Sequence, residues 1–527
     1  MSFKNKNKEK KTFEEKELEI LRAAVDDIEK TSKIQVAQSP DVAKLIEILE
    51  NFLRKKQLIC YGGTALNNIL PKQDQFYDKS IEIPDYDFYS SNALEDAKEL
   101  AKLYASLGYD DVEAKAGMHV GTFKVQVHFI PLADITQMEK TLFLAIKKEA
   151  IKIDGILYAP SNLLRLNVYK ELSRPNGQVD RWEKIYKRLL LLNKHYPIKK
   201  QKCNSVQFMR DFEGNKELGE TVYMIVKNSI IKQGLVFFGG YACSLFQRYL
   251  PLNNNENGTR KNKKQMKQAP DFDALAEKPE EASLKIKQEL ESKGIKNVKV
   301  YKKPGAGEII APHYEVAVGK DSVCFIYEAL GCHSYNTIHV KNNTVKNNTV
   351  KNNTVKNNTV KNNAVKIATI DTMLNLFLAF LYANRPYYDS ERILCMAQYL
   401  FNIQQKNRLN QQGLLKRFTK ECYGTETTIQ TIRETRSKKF KELKPYRNKP
   451  NTKNGKEYDQ YFLRYAPGEK KTVFRKKHAK PVLTKKVDKK NKTKNTKINN
   501  TKINNTKINN TKINNNTKTK KNKWFLF

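Results

Sequence analysis

Apolar residues recur at three- and four-residue intervals through "TFEEKELEILRAAVDDIEK" and again through "SPDVAKLIEILENFLRKK". This spacing predicts helices over most of residues 1–57, the second entered at Ser39 as N-cap with Pro40 as its first residue. The period then shortens. "QLICYGGTALNNIL" (57–70) reads as a buried strand that ends at Gly62-Gly63, with a helix from Thr64 onward. "IEIPDYDFYS" (81–90) is apolar but carries Asp85 and Asp87 on alternate positions, followed by an amphipathic helix, "ALEDAKELAKLYASLGY", and a strand pair in "GTFKVQVHFIPLADIT" (121–136).

The same succession returns. "LVFFGGYACSLFQRYL" (235–250) repeats strand, Gly-Gly and helix, Pro270-Asp271-Phe272-Asp273 repeats Pro84-Asp85-Tyr86-Asp87, and "APHYEVAVGKDSVCFIYEA" repeats the strand pair. Two aligned successions of this kind predict a duplication, with roughly a hundred residues in each copy. Between the copies, residues 159–197 read as basic helices interrupted by a Pro-Asn-Gly turn. Residues 366–405 return to helical periodicity.

Two segments have no core-forming pattern. Residues 340–365 contain five near-identical KNNTV units, and the chain from about 450 becomes Lys/Asn/Thr sequence with four TKINN units. Such short polar periods cannot bury a core and read as flexible, disordered segments. The expected organisation is therefore a helical extension (1–38), a first domain with its following helices (39–200), a second copy (201–405, carrying the 340–365 insertion), a basic region (406–484) and a low-complexity basic tail (485–527). The fold class is α+β: two tandem domains of one kind, each a mixed sheet flanked by helices.

Composition changes the picture in one respect. The formal net charge is +41, and from Arg436 onward 30 Lys/Arg face 5 Asp/Glu, a net +25. A field of that sign favours polyanions. The N-terminus is charged where a signal peptide would be apolar, and the longest apolar run, "MLNLFLAFLYA", is too short to span a bilayer. The seven cysteines are scattered without a CxxC pair, which argues against structural zinc or a disulfide framework and for a reducing compartment. The Asn-x-Thr triplets are then not expected to be glycosylated.

The candidate chemistry lies in the first copy. Residues i and i+2 of a strand face the same way, roughly 7 Å apart. Two carboxylates so placed repel each other unless a cation lies between them. Alone, Asp-x-Asp is also what a solvent-facing strand end shows, and Gly-Gly is also an ordinary tight turn. Together they offer a turn whose N–H groups approach a phosphate and carboxylates for its metal ions. Asp134, apolar-flanked in "IPLADIT", is placed to be a third carboxylate. Arg181, Lys184 and Arg188 recur at helix-face spacing in "SRPNGQVDRWEKIYKRL".

Gly-Gly, Asp-x-Asp and a later apolar-Asp-apolar strand are the signature of the DNA polymerase beta-like nucleotidyltransferases. The wording "YGGTALNNILP…IPDYDFYS…IPLADIT…RWEKIYKRL" resembles the poly(A) polymerase catalytic subunits of large cytoplasmic DNA viruses, the poxvirus and giant-virus group. That resemblance implies a template-independent polymerase adding AMP from ATP to mRNA 3′ ends. It implies that Asp85, Asp87 and Asp134 hold two Mg²⁺ or Mn²⁺ ions, and that Gly62, Gly63 and Thr64, with Lys184 and Arg188, contact the nucleotide. It also implies a place in the host cytoplasm (the viral factory) and the virion, with no membrane association. As protein partner, a second copy of the chain and a viral processivity subunit both remain open. A nucleotidyltransferase acting on another RNA or protein acceptor, or a non-catalytic RNA-binding scaffold, are the alternatives.

The second copy lacks the third carboxylate. Alignment of "VCFIYEA" with "PLADITQ" places Ile326 where Asp134 stands, so that copy is expected to be non-catalytic, with Asp271 and Asp273 as relics.

Overall fold

The computed structural model describes residues 12–78, 83–198, 203, 216–249, 272–306, 309–339, 364–383 and 385–468. Asp271, residues 340–363 of the repeat insertion and the tail from residue 469 lie outside the described residues. Two helices open the described chain, α1 (Phe13–Ala37) and α2 (Pro40–Lys56). Helix α2 buries Leu45, Leu49, Phe52 and Leu53, the stripe its spacing predicts. Ser39 stands at its N-cap in extended conformation, but its hydroxyl makes no capping bond.

The first sheet is built from β1 (Ile59–Tyr61), β2 (Tyr86–Ser90), β3 (Val112–Ala116), β4 (Thr122–Val127), β5 (Ile130–Gln137), β6 (Ile151–Ile153) and β7 (Ile156–Tyr158). Helices α3 (Gly62–Ile69), α4 (Ala93–Ser106) and α5 (Lys140–Lys148) connect them; α6 (Ser161–Leu172) and α7 (Trp182–His195) follow. The strand order is β3-β4-β5-β2-β1-β7-β6. It is a mixed sheet: β2 runs parallel to β5 and antiparallel to β1, and β1 runs parallel to β7. Strand β4 shows why one face is dry. Phe123, Val125 and Val127 are fully buried, while Thr122, Lys124 and Gln126 alternate with them on the other face.

The second sheet repeats this order. It comprises β8 (Val236–Phe238), β9 (Phe272–Ala276), β10 (Val298–Lys303), β11 (His313–Val318), β12 (Asp321–Glu328), β13 (His333–His339) and β14 (Ala364–Ala368). Its order is β10-β11-β12-β9-β8-β14-β13, with β15 (Cys422–Tyr423) added beyond β13. Helices α8 (Lys216–Lys232), α9 (Gly239–Ser244) and α10 (Pro279–Ser292) accompany it. The duplication thus reaches all seven strands, three more per copy than the four that the hydrophobic alternation predicts. Residues 364–368 form one of these added strands, so the stretch expected to be helical from 366 begins extended.

Helix α11 (Ile370–Phe380) packs on α6, and α12 (Ser390–Lys406) packs on α11. All eleven residues of α11 are buried. Its polar members are matched: Asn375 donates to the Leu166 carbonyl at 3.1 Å, and Asp371 takes two bonds from Arg417 (2.7 and 2.8 Å) and one from Gln404 (3.0 Å). The buried carboxylate is tolerated because a bidentate guanidinium and an amide donor engage both of its oxygens.

The basic region after 405 folds back. Helices α13 (Ile429–Leu443) and α14 (Lys453–Phe462) lead to β16 (Arg464–Tyr465), which pairs with the free edge of β3 and makes the first sheet eight-stranded. Arg436 fastens this segment by donating to the Gly117 carbonyl at 2.8 Å and to the Tyr461 carbonyl.

The expectation about cysteines is corrected. Cys203–Cys395 and Cys332–Cys422 meet as disulfides, with Cα–Cα distances of 5.6 and 5.2 Å. The partners are 192 and 90 residues apart, so no local spacing could announce them. Cys60, Cys243 and Cys324 are buried thiols. Among the described residues, no helix is long and apolar enough to cross a membrane.

Candidate active site

Directly paired residues of neighbouring strands present their side chains on the same face. The registers of the first sheet therefore define a row across it. Tyr61 on β1 pairs with Asp87 on β2, Asp87 with Asp134 on β5, Asp134 with Lys124 on β4, and Lys124 with Lys115 on β3. Two of the three carboxylates singled out in the sequence are thus nearest neighbours, one strand spacing of about 4.8 Å apart. Asp85 is exposed and lies just before β2, at the mouth of the row.

The electrostatics follow from this crowding. Burial first, then the charges of Asp134 and Asp85, push the Asp87 carboxyl up to about 7, and Lys124 and Arg181 partly offset this. Lys124 reaches Asp134 at 2.7 Å and is the cation that now serves the third carboxylate. Among the described residues, no three acidic, histidine or cysteine side chains form a ready-made metal cage. The donor set nonetheless fits hard divalent ions: three mutually repelling carboxylates, one raised in pKa by its burial and then by the other two. Asp85, Asp87 and Asp134 are the residues that would hold them.

The Gly-Gly turn backs directly onto the acids. Strand β1 ends at Tyr61 and the chain turns into α3 through Gly62, whose φ of +73° belongs to the left-handed region. A methyl on Gly62 would overlap Oδ2 of Asp87 and lie 3.3 Å from its Cγ. At Gly63 a methyl would meet the Tyr77 hydroxyl and stand 3.0 Å from Nη1 of Arg188. The turn therefore brings backbone within reach of the carboxylates on one side and of a guanidinium on the other.

Arg188 stands beside the Gly-Gly turn. It is buried, donates to the Tyr77 hydroxyl at 2.6 Å, and its guanidinium lies 4.8 Å over the Phe76 ring. Lys184 is one helical turn away on α7 and exposed. Thr64 is placed differently from the nucleotide contact expected of it. It is buried, and its hydroxyl donates to the Asp85 carbonyl at 2.5 Å, so it holds the first acid in position. Tyr77 and Lys124 were not singled out in the sequence. Lys124 was visible in principle as a cation in an alternating strand next to the Asp134 strand; Tyr77, in a loop, had no periodic signal.

The second sheet shows what a closed version looks like. Its equivalent row reads Phe238, Asp273, Phe325, Glu315, Tyr301. Phe325, not Ile326, stands where Asp134 stands, because Asp273 pairs with Phe325. The sequence alignment was one residue out, and Ile326 belongs to the opposite, fully buried face. Glu315 replaces Lys124 and is tied to Lys303 at 2.8 Å. Aromatic rings fill the space: Phe325 stacks on Tyr387 (5.5 Å), Phe380 on Tyr388 (4.5 Å) and His313 on Tyr327 (4.4 Å). Burial lowers the His313 pKa to about 4. Its Nδ1 faces the Ala311 carbonyl at 2.9 Å and so carries the proton, which leaves Nε2 to accept from the Tyr387 hydroxyl at 2.9 Å. Among the described residues, these rings line the face that carries Asp134 in the first sheet.

With this geometry in hand, the comparisons are specific. Residues 47–178 match the model of the poly(A) polymerase catalytic subunit family. That segment runs from α2 through β1, the Gly-Gly turn and all three acids into the turn before α7. A protein of Acanthamoeba polyphaga mimivirus, described as "Putative poly(A) polymerase catalytic subunit", is 30% identical over 208 residues, 37% of this chain and 35% of that protein. An African swine fever virus protein of the same description (isolate Pig/Kenya/KEN-50/1950) is 30% identical over 166 residues, 31% of this chain and 35% of that protein. The alignments thus span about a third of the length of these relatives. The fold is shared more widely. A solved structure, described as the crystal structure of the Megavirus polyadenylate synthase, superposes with a TM-score of 0.65, covering 88% of this chain and 93% of that one at 19% identity. The resemblance carried by the motifs is therefore met in the segment that holds them, and the α+β architecture extends beyond it.

Proposed function

We propose that the chain is an RNA 3′-adenylyltransferase, a poly(A) polymerase that adds AMP from ATP to mRNA 3′ ends. The observation that carries this reading is the adjacency of Gly62 to Asp87, and of Asp87 to Asp134, in one row of the sheet. A phosphate-binding turn on one side of paired carboxylates is what nucleotidyl transfer requires. Two divalent ions bound there would stabilise charge on the attacking and leaving oxygens. The protein's own share is positioning. The Gly62-Gly63 backbone and Arg188 would hold the triphosphate, Asp85, Asp87 and Asp134 would set the cation positions, and the second domain, with Phe325 in place of Asp134, would serve as architecture. The acceptor is a nucleic acid on the strength of the +41 charge. The viral relatives support a place in the host cytoplasm and virion.

The test is extension of a short RNA by the purified full chain with each nucleoside triphosphate separately, in Mg²⁺ or Mn²⁺. Homopolymer growth with ATP alone is expected. Absence of extension with every nucleotide would refute the enzymatic reading, and transfer confined to one tRNA or protein acceptor would replace it.

A further inference from the structure

The row does not stop at Lys115. Lys115 pairs in turn with Arg464 on β16, the strand that the C-terminal segment adds to the sheet. Moving outward from Asp134, one face thus presents Lys124, Lys115 and Arg464 in three successive strands, over about 14 Å. Lys124 and Lys115 are half-exposed and the Arg464 side chain is 82% exposed. Lys124 is held by Asp134, and Glu113 takes Arg464 Nε at 2.6 Å and stands 3.6 Å from Lys115. Two carboxylates therefore offset part of three cations. Beyond the row the surface opens into a cleft of about 530 Å³ between β3, β16 and helices α13 and α14. Arg447, Phe440, Tyr458 and Phe462 line it, and Phe440 is 39% exposed.

The direction of this row is informative. The Gly-Gly turn adjoins Asp87 from the β1 side, whereas the cations begin at Asp134 and lead away on the β4 side. In-line transfer puts the leaving pyrophosphate and the attacking hydroxyl on opposite sides of the reacting phosphorus. If the turn holds the triphosphate, the acceptor arrives from the side of Lys124. Spaced cations leading to an exposed aromatic ring, Phe440, suit a flexible single strand, whose phosphates and bases separate, better than a rigid duplex.

We propose that Lys124, Lys115 and Arg464 form the track for the sugar-phosphate backbone at the acceptor's 3′ end, and that Phe440 in the adjoining cleft stacks a base further upstream. The C-terminal segment 429–465 is then part of the substrate site. This rests on the reading of the site as an RNA 3′-adenylyltransferase, but it is tested by binding alone.

The experiment uses the full chain without nucleotide or divalent metal and follows the fluorescence anisotropy of a 5′-labelled 12-nucleotide oligo(U) RNA between 50 and 200 mM NaCl. Each phosphate contact on a single strand contributes about 0.7 to the slope of log K against log salt. K115Q with R464Q should make the slope shallower by about 1.4 and weaken binding roughly 25-fold at 0.1 M salt. E113Q removes the opposing charge and should tighten binding, which loss of structure would not do. F440A should weaken binding fivefold or more without changing the slope. An unchanged slope in the double variant, or weaker binding by E113Q, overturns the track. A wild-type chain that binds RNA through these residues yet never extends it would leave the track standing and overturn the polymerase reading instead.

Discussion

Gly62→Ala is the substitution that most tightly couples backbone to chemistry. Two costs can be worked out. The left-handed φ of +73° is open to glycine but costs an alanine about 1–2 kcal/mol. The added methyl also falls on Oδ2 of Asp87. That oxygen is the far end of a side chain and can swing aside cheaply, by about 1 Å, to regain contact distance. The swing costs little stability, but it moves a group on which the cation positions depend, and a displacement of about 1 Å can cost on the order of a hundredfold in rate. Stability should therefore fall by only about 1–2 kcal/mol, while single-turnover AMP incorporation falls about a hundredfold or more. The second copy supplies the control. Gly239 has φ +72° and lies still closer to Asp273, a methyl there standing 2.8 Å from its Cβ, so Gly239→Ala should destabilise at least as much and yet leave incorporation within a few-fold of wild type. Thermal melts and rapid-quench incorporation on both variants make the comparison. Equal losses of rate in the two, or a Gly62→Ala rate within fivefold of wild type, would refute the reasoning.

Asp134→Asn keeps size and removes charge, and should lower incorporation at least a hundredfold; a near-normal rate would place the third metal-binding group elsewhere. Arg417→Met leaves the buried Asp371 without its ion pair, a loss of about 3–5 kcal/mol seen as an earlier urea transition. The double change with Asp371→Asn should recover part of it, and strict additivity would contradict the coupling. His313 titrates at about 4 in the fold against an ordinary 6.5. The unfolded chain therefore takes up the proton first, and stability is lost as pH falls from 6.5 towards 4, by about 1.4 kcal/mol per pH unit from this group. Denaturant midpoints across that window should flatten in His313→Gln, and an unchanged pH slope would show that the ring is not held neutral.

The path from sequence to site was short where the signal was local. Helix α2, the β1–Gly-Gly–α3 succession and Asp85, Asp87 and Asp134 were legible because each depends on residues within one or two turns of chain. The repeat of the Pro-Asp-aromatic-Asp block exposed the duplication for the same reason. Pairing across strands was not legible. A slip of one residue in aligning β12 put Ile326 in the row instead of Phe325, since a one-residue shift moves every side chain to the other face. Thr64 was read by its place beside the turn, but its hydroxyl is committed to Asp85, a partner 21 residues away. The return of the C-terminal segment to β3, the disulfides and the buried Asp371–Arg417 pair all join distant parts of the chain, and nothing in local composition marks them.

The central claim is that chemistry belongs to the first sheet and that the second, with Phe325 in place of the third acid, is its inactive counterpart. Asp87→Ala and Asp273→Asn, compared in one assay of ATP incorporation into a short RNA with Mg²⁺ or Mn²⁺, test it directly. Asp87→Ala should abolish incorporation with RNA binding largely intact, and Asp273→Asn should remain within several-fold of wild type. Retained incorporation by Asp87→Ala, or a comparable loss in Asp273→Asn, would contradict it.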